Sequence, residues 1–156
     1  MQNEHVHKDE VTLNYDYIAD GIYVGSNQCC VLGLTAVLKK EGIMADISLE
    51  AARLDQPFGV EAYLWLPIKN HTAPTPDQLS LGVRTLQTLV EQRKKVYVHC
   101  QNGHGRAPTL VAAYLISKGR GINDAIAFVT EKRPATHLQD VQRTALENFS
   151  HSLRNS

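Results

Sequence analysis

The 156 residues, 43% apolar and 21% charged, have the length and composition of one soluble domain with its own hydrophobic core. Sixteen basic residues balance sixteen acidic ones, so no net field draws the chain to nucleic acid or anionic lipid. No apolar run approaches the ~20 residues of a membrane span, which argues against a membrane partner.

The three cysteines, two of them adjacent at 29 and 30, make no disulfide framework. The seven histidines are scattered, and none forms a paired ligand spacing with Cys or another His, so no metal and no cofactor are expected. The N-terminus, MQNEHVHKDE, lacks an apolar signal region, and the expected address is the cytoplasm.

Residues 1–10 read as a loose arm and residues 11–156 as a single domain. From Leu13 to Val24 the pattern predicts two short strands around an Asp20-Gly21 turn. Leu32 to Lys40 is a helix candidate with Leu32, Ala36 and Leu38 inward, stopped by Gly42. Cys29 and Cys30, just before it, read as inert packing. Ile43–Leu49 and Ala62–Ile68 are strand-like, and AYLWLPI is apolar enough for burial on both faces, with Tyr63 and Trp65 in the core.

Thr75-Pro-Asp-Gln78 starts a helix: Thr75 caps, Pro76 takes the first turn and Gln78 reaches back. That helix should end near Arg93, followed by a short central strand, Lys95–His99. Pro108–Ser117 reads as a buried helix closed by Gly119 and Gly121. Two amphipathic helices, Asn123–Lys132 and Leu138–Leu153, complete the chain. Strands alternating with helices predict a three-layer α/β/α sandwich with a four- to five-stranded, mostly parallel sheet.

The chemistry is concentrated in Val98-His-Cys-Gln-Asn-Gly-His-Gly-Arg-Ala-Pro-Thr109. A buried strand delivers Cys100 to a turn and a helix leaves the far side. Backbone N–H groups at such a helix start have no intrahelical partner and point into the turn. Gly103 and Gly105 permit positive φ angles that curl the amides of Gln101, Asn102, Gly103, His104, Gly105 and Arg106 into an anion nest. The same field favours thiolate at Cys100. Arg106, forked and permanently charged, can hold two phosphate oxygens at once. Thiolate, nest and clamp converge on one tetrahedral anion, the requirement for covalent phosphoryl transfer through a phosphocysteine that water then hydrolyses.

This loop resembles the signature of the cysteine-dependent, protein-tyrosine-phosphatase-like superfamily, in particular its small dual-specificity group: His99-Cys100, five residues, Arg106, with glycines at 103 and 105. Ile22-Tyr-Val-Gly-Ser26, Leu66-Pro-Ile68 with His71-Thr-Ala-Pro74, and Lys132-Arg-Pro134 with Gln142 and Leu146 carry the resemblance over most of the chain. It implies metal-free hydrolysis of phosphotyrosine and of phosphoserine or phosphothreonine in proteins, with other phosphomonoesters open. It also implies that His99 bonds nearby backbone and tunes Cys100, and that Gln142 positions water; on its own pattern Gln142 is a solvated residue of a helix face. His104 reads as a pocket-rim or solvated side chain.

Two positions depart from the family pattern. The general-acid Asp would fall at 70, where this chain has Asn70, and an amide cannot protonate a leaving oxygen. His71 is the nearest substitute; Asp77 is held ionised by its helix start, and Asp46 and Glu61 have no predicted place. Ala107 stands where a Ser or Thr often steadies the thiolate as a leaving group; Thr109 reads as an ordinary first-turn hydroxyl. The alternative to a phosphatase is therefore a module that binds phosphorylated ligands with little turnover; a sulfur-transfer enzyme fits the loop less well.

Overall fold

Asp20 and Gly21 both take positive φ, 54° and 83°, and reverse the chain between β1 (Tyr15–Ala19) and β2 (Ile22–Gly25). That turn matches the twist of an antiparallel pair, and β1 accordingly pairs antiparallel with β2. The structure, a computed structural model, describes residues 12–155, so the expected arm over residues 1–10 lies outside the described residues. The other strands are β3 (Ile43–Glu50), β4 (Ala62–Ile68) and β5 (Lys95–His99). They add in parallel to give one five-stranded sheet in the order β1-β2-β5-β3-β4. The mostly parallel sheet predicted from the alternating pattern is thus present, with β5 at its centre.

Strand alternation divides the interior into two layers. Val96 and Val98 from β5, with Cys100 just beyond its end, join Ala45, Ile47 and Leu49 from β3 in the large core. That core lies under α2 (Pro76–Glu91), α3 (Arg106–Ser117), α4 (Ile122–Lys132) and α5 (Asp140–Arg154). Tyr97 turns the other way and packs with Tyr23, Cys29, Cys30, Leu34, Leu38 and Ile43 beneath the short α1 (Ala36–Glu41). Eleven of the twelve residues of α3 are buried, as a helix surrounded on all sides requires. Thr75 caps α2 with the predicted reciprocal bonds to Gln78.

Two expectations fail for identifiable reasons. α1 is one turn shorter than predicted, because Thr35 caps it; Leu32 is 87% exposed, and within the helix only Leu38 is buried. β4 is apolar enough for a central strand but lies at the sheet edge, so Tyr63 and Trp65 stay partly exposed instead of entering the core. Trp65 offsets this by donating its indole N–H to the Glu50 carbonyl at 2.8 Å. Among the described residues no helix is long and apolar enough to cross a membrane.

Gly25 ends β2 where a side chain has no room: a Cβ there would overlap the Tyr97 hydroxyl and the Asn14 carbonyl. The Tyr97 hydroxyl is itself fixed by donation to the Ser26 carbonyl at 2.7 Å. Gly25→Ala is therefore expected to destabilise the fold by about 1–3 kcal/mol, read as a lower urea midpoint at unchanged slope.

Candidate active site

Cys100 stands at the C-terminal end of the central strand, 3% exposed, and α3 begins six residues later at Arg106. Each carbonyl of the intervening loop is engaged from behind. Gln101 O accepts from Asn27 N at 3.0 Å, and His104 O accepts from His137 N at 2.7 Å. Arg133 donates Nη2 to Asn102 O at 2.9 Å and Nε to Gly103 O at 2.7 Å. Gly105 O takes both the amide and the hydroxyl of Thr109, at 2.9 and 2.7 Å, the ordinary first-turn role expected of that residue. A trans peptide points its N–H opposite its C=O. Carbonyls of 101–105 turned outward therefore leave the amides of 102–106 turned inward, a concave set of donors above Cys100.

Of the two glycines, Gly103 meets the expectation of positive φ and Gly105 does not. Gly103 has φ 70°, and a Cβ there would sit 2.5 Å from the Gly25 carbonyl oxygen. Gly105 has φ −131°, so no positive φ is needed; the constraint is Gln142, whose Oε1 would be 3.0 Å from a Cβ at 105.

Arg133 is the residue that motif reading passed over. Its side chain is completely buried, and beyond the two loop carbonyls its Nη1 donates to Asn14 Oδ1 and Asp16 Oδ2 at 2.8 and 2.9 Å. The signal was a lone Arg in Lys132-Arg-Pro134, indistinguishable in sequence from a solvated basic residue. Arg106 is also buried, and its Nη1 donates to Ile68 O at 2.8 Å, which ties the clamp to the loop that follows β4.

His99 points to the opposite face from Cys100. Instead of bonding nearby backbone, its Nε2 lies 3.0 Å from Asp46 Oδ1 and 2.7 Å from Asp55 Oδ2, with all three side chains inaccessible to solvent. Burial pulls its pKa down, but the Asp46 charge and the close contacts with both carboxylates outweigh burial and hold it at about 10. Burial raises the Asp46 pKa against the opposing pull of His99. At Asp55 burial is outweighed by His99 and by Arg53, 3.0 Å away, and the pKa falls.

The cleft above Cys100 has a volume of about 160 Å³ and is lined by Asn70, His71, Gln101, Asn102, His104 and, on the far wall, His137, Gln139 and Gln142. Gln142 is buried rather than solvated. Its Oε1 accepts from Gln139 N at 2.8 Å and its Nε2 donates to Thr72 O at 3.1 Å, so it joins α5 to the loop that carries residue 70. His71 has φ 63°, and its Nδ1 lies 3.3 Å from Gln139 Nε2.

Comparison with known proteins matches residues 22–151 to the family described as dual specificity phosphatase, catalytic domain. The chain belongs to the dual specificity phosphatase catalytic-domain family. Its curated relatives include phosphatidylglycerophosphate phosphatase PTPMT2 of Arabidopsis thaliana, 33% identical over 90 residues, 56% of this chain and 40% of that protein. Human protein tyrosine phosphatase type IVA 3 is 46% identical over 54 residues, 35% of this chain and 31% of that protein. The chain spans less than half the length of these relatives. The crystal structure of human DUSP28 is similar in fold, with a TM-score of 0.80 over 90% of this chain and 98% of that one, at 19% identity.

Within this family the departure at 70 now has a place in the cleft, and Ala107 is buried in the first turn of α3. Asn70 does line the cleft, but its Oδ1 accepts from the His71 backbone N–H at 3.0 Å. No carboxylate lines the cleft among the described residues. Asp46 belongs to the His99 cluster, Glu61 pairs with Lys94 on the surface at 3.1 Å, and Asp77 is exposed in the first turn of α2. The titratable groups facing Cys100 besides Arg106 are three histidines, of which His137 was not singled out by its sequence position. Burial and the Arg133 charge lower the His104 pKa, which favours a neutral ring there.

Replacing Arg133 with Met keeps bulk but removes the donors to Asn102 O and Gly103 O. Arg133→Met is expected to cost about 1–3 kcal/mol per orphaned carbonyl in chemical denaturation. Phosphate affinity, titrated in a Cys100→Ser background, should fall with it as the amides lose their fixed direction.

Proposed function

We propose that this chain hydrolyses phosphomonoesters through a phosphocysteine on Cys100, as one phosphatase domain over residues 11–156. The observation that carries the reading is the orientation of the loop: five carbonyls held outward, five amides and Arg106 facing a single sulfur. The Cys100 thiolate attacks phosphorus and the ester P–O bond breaks. The amides of 102–106 and the Arg106 fork take the charge of the three equatorial oxygens as it builds up. Water then attacks phosphorus, the S–P bond breaks, and the thiolate is restored. No step in this sequence calls on a metal.

The substrate class follows from the size of the cleft and from the family. A cleft of about 160 Å³ is smaller than the ~300–1,000 Å³ of ordinary ligand pockets, so it takes a phosphoryl group and the first atoms of its ester. Phosphotyrosine, phosphoserine and phosphothreonine side chains fit that description. A curated relative named as a phosphatidylglycerophosphate phosphatase keeps other phosphomonoesters in the class.

The absence of a carboxylate from the cleft among the described residues favours a second reading, capture of phosphorylated ligands with slow release as product. The two diverge in kinetics. Cys100→Ser should abolish turnover while phosphate still binds, because the amide nest is unchanged; substantial residual turnover in clean protein would reject the mechanism. Arg106→Lys should be nearly as severe, since a point charge cannot reproduce the fork.

With no acid at 70, the first step should depend steeply on leaving-group pKa, activated aryl phosphates outpacing phenyl and alkyl phosphates. Asn70→Asp should flatten that dependence, with gains up to ~10²–10⁴-fold for poor leaving groups. Burst-phase measurements must accompany the series, because Ala107 leaves the second step free to limit turnover. If His71 protonates the leaving oxygen, Asn70→Asp changes little and His71→Ala loses activity selectively with poor leaving groups. No burst and no turnover even with activated aryl phosphates would establish the binding module instead.

A further inference from the structure

His99 and Cys100 leave β5 on opposite faces, and the side chains gathered around His99 take no part in the chemistry proposed for the thiolate. Cys29, Cys30, Asp46, Asp55 and His99 each offer a donor atom, and these atoms all lie within 4.8 Å of one another, every residue buried. They come from four separate places: the turn after β2, the middle of β3, the segment after β3 and the end of β5. The structure pairs Cys29 Sγ and Cys30 Sγ as a disulfide, and Cys30 Sγ lies 3.5 Å from Asp46 Oδ2.

The polar atoms of this group are close but poorly paired. His99 Nε2 approaches both carboxylates, yet neither Asp46 Oδ1, Asp55 Oδ2 nor either ring nitrogen of His99 has an aligned hydrogen bond among the described residues. Three of these atoms are ion-paired without an aligned hydrogen bond and His99 Nδ1 has neither, so several buried polar atoms face one common centre incompletely satisfied. A cation at that centre would engage them together.

We propose that Cys29, Cys30, Asp46 and His99 form a closed site for one zinc ion behind the phosphate loop, with Asp55 held at its edge by Arg53. Two thiolates, an imidazole and a carboxylate are a tetrahedral donor set that suits zinc, with no position left open for water. Bonds of about 2.0–2.3 Å place neighbouring ligand atoms about 3.3–3.8 Å apart, so the present spacing needs only small side-chain shifts and separation of the two sulfurs. In the reduced chain each thiol gives up its proton on binding, and His99 must be neutral to ligate.

The competing state is that disulfide, which removes both thiolates; the zinc site belongs to the reduced chain, in which a thiol reductant has cleaved the S–S bond to two thiols and is itself oxidised to a disulfide.

The ion would tie β5 to β3 and to the turn after β2. That turn also carries Asn27, whose amide holds the Gln101 carbonyl and whose own carbonyl is reached by Arg53. The site is thus structural, it steadies the strand that delivers Cys100, and it stands or falls apart from the phosphatase reading.

The test uses metal content and spectroscopy rather than turnover. Protein expressed with zinc and purified without chelator should carry stoichiometric zinc by elemental mass spectrometry, retained in Cys100→Ser and lost in Cys29→Ser/Cys30→Ser. Because the double variant could misfold, cobalt(II) exchanged into Cys100→Ser decides independently. Thiolate-to-cobalt charge-transfer bands with the intense visible bands of a tetrahedral ion are expected, and Asp46→Asn should shift the latter. A cobalt spectrum without thiolate bands, zinc lost with Cys100→Ser alone, or a Cys29–Cys30 disulfide that persists in wild type purified with a thiol reductant would each overturn the proposal.

Discussion

The site depends on one constraint: every carbonyl of the loop from 101 to 105 has a partner outside the loop. Because C=O and N–H of a peptide are opposed, those outer partners are what aim the amides at Cys100. The partners are dispersed over the fold: Asn27 after β2, Thr109 in α3, Arg133 at the end of α4, His137 before α5. Phosphate affinity is therefore a property of the packed domain, although the amides that meet the anion are consecutive in the chain.

The leaving-group side is built by other contacts, and it is coupled to the phosphate side. Arg106 holds the Ile68 carbonyl, Gln142 holds the Thr72 carbonyl, and Gln139 reaches His71, so the loop carrying residue 70 is anchored at three points around the cleft. The frame that would present a general acid is thus intact while the carboxylate is missing. Framework and acid are separable because the anchors act on backbone carbonyls and a neighbouring ring, and none needs the side chain at 70. Strong transition-state binding can accordingly coexist with a barrier that depends on the leaving group.

Strand parity explains why two adjacent residues serve different layers. Cys100 faces the helices and His99 faces the α1 side, since successive side chains leave a strand on opposite faces. The same parity on β3 sends Ala45 and Ile47 to the large core and Asp46 to His99. Buried charge is thereby kept off the main core and collected where Arg53 and the two carboxylates balance it.

The strands, the capped helix at Thr75 and the nucleophile loop were legible from the order of residues because their causes are local. Alternation, a capping box, a Gly-rich turn between strand and helix, and a Cys and Arg six residues apart all act within a few positions. α1 and β4 were misread where the decision was not local: a capping Thr35 cut one short, and the other's apolar sequence does not say whether a strand lies at an edge. Arg133 and Gln142 stand in segments that carry the family resemblance, but what they hold, like the place of His137, was not readable, since each gains its role from a backbone group at least thirty residues away. His99 and the four donors around it are the extreme case, scattered from position 29 to 99 with no ligand spacing. Which atoms can attack and grip a phosphoryl group is written in the local order of residues. What holds those atoms in place is settled by packing, because hydrogen-bond direction and burial depend on partners that the sheet brings together.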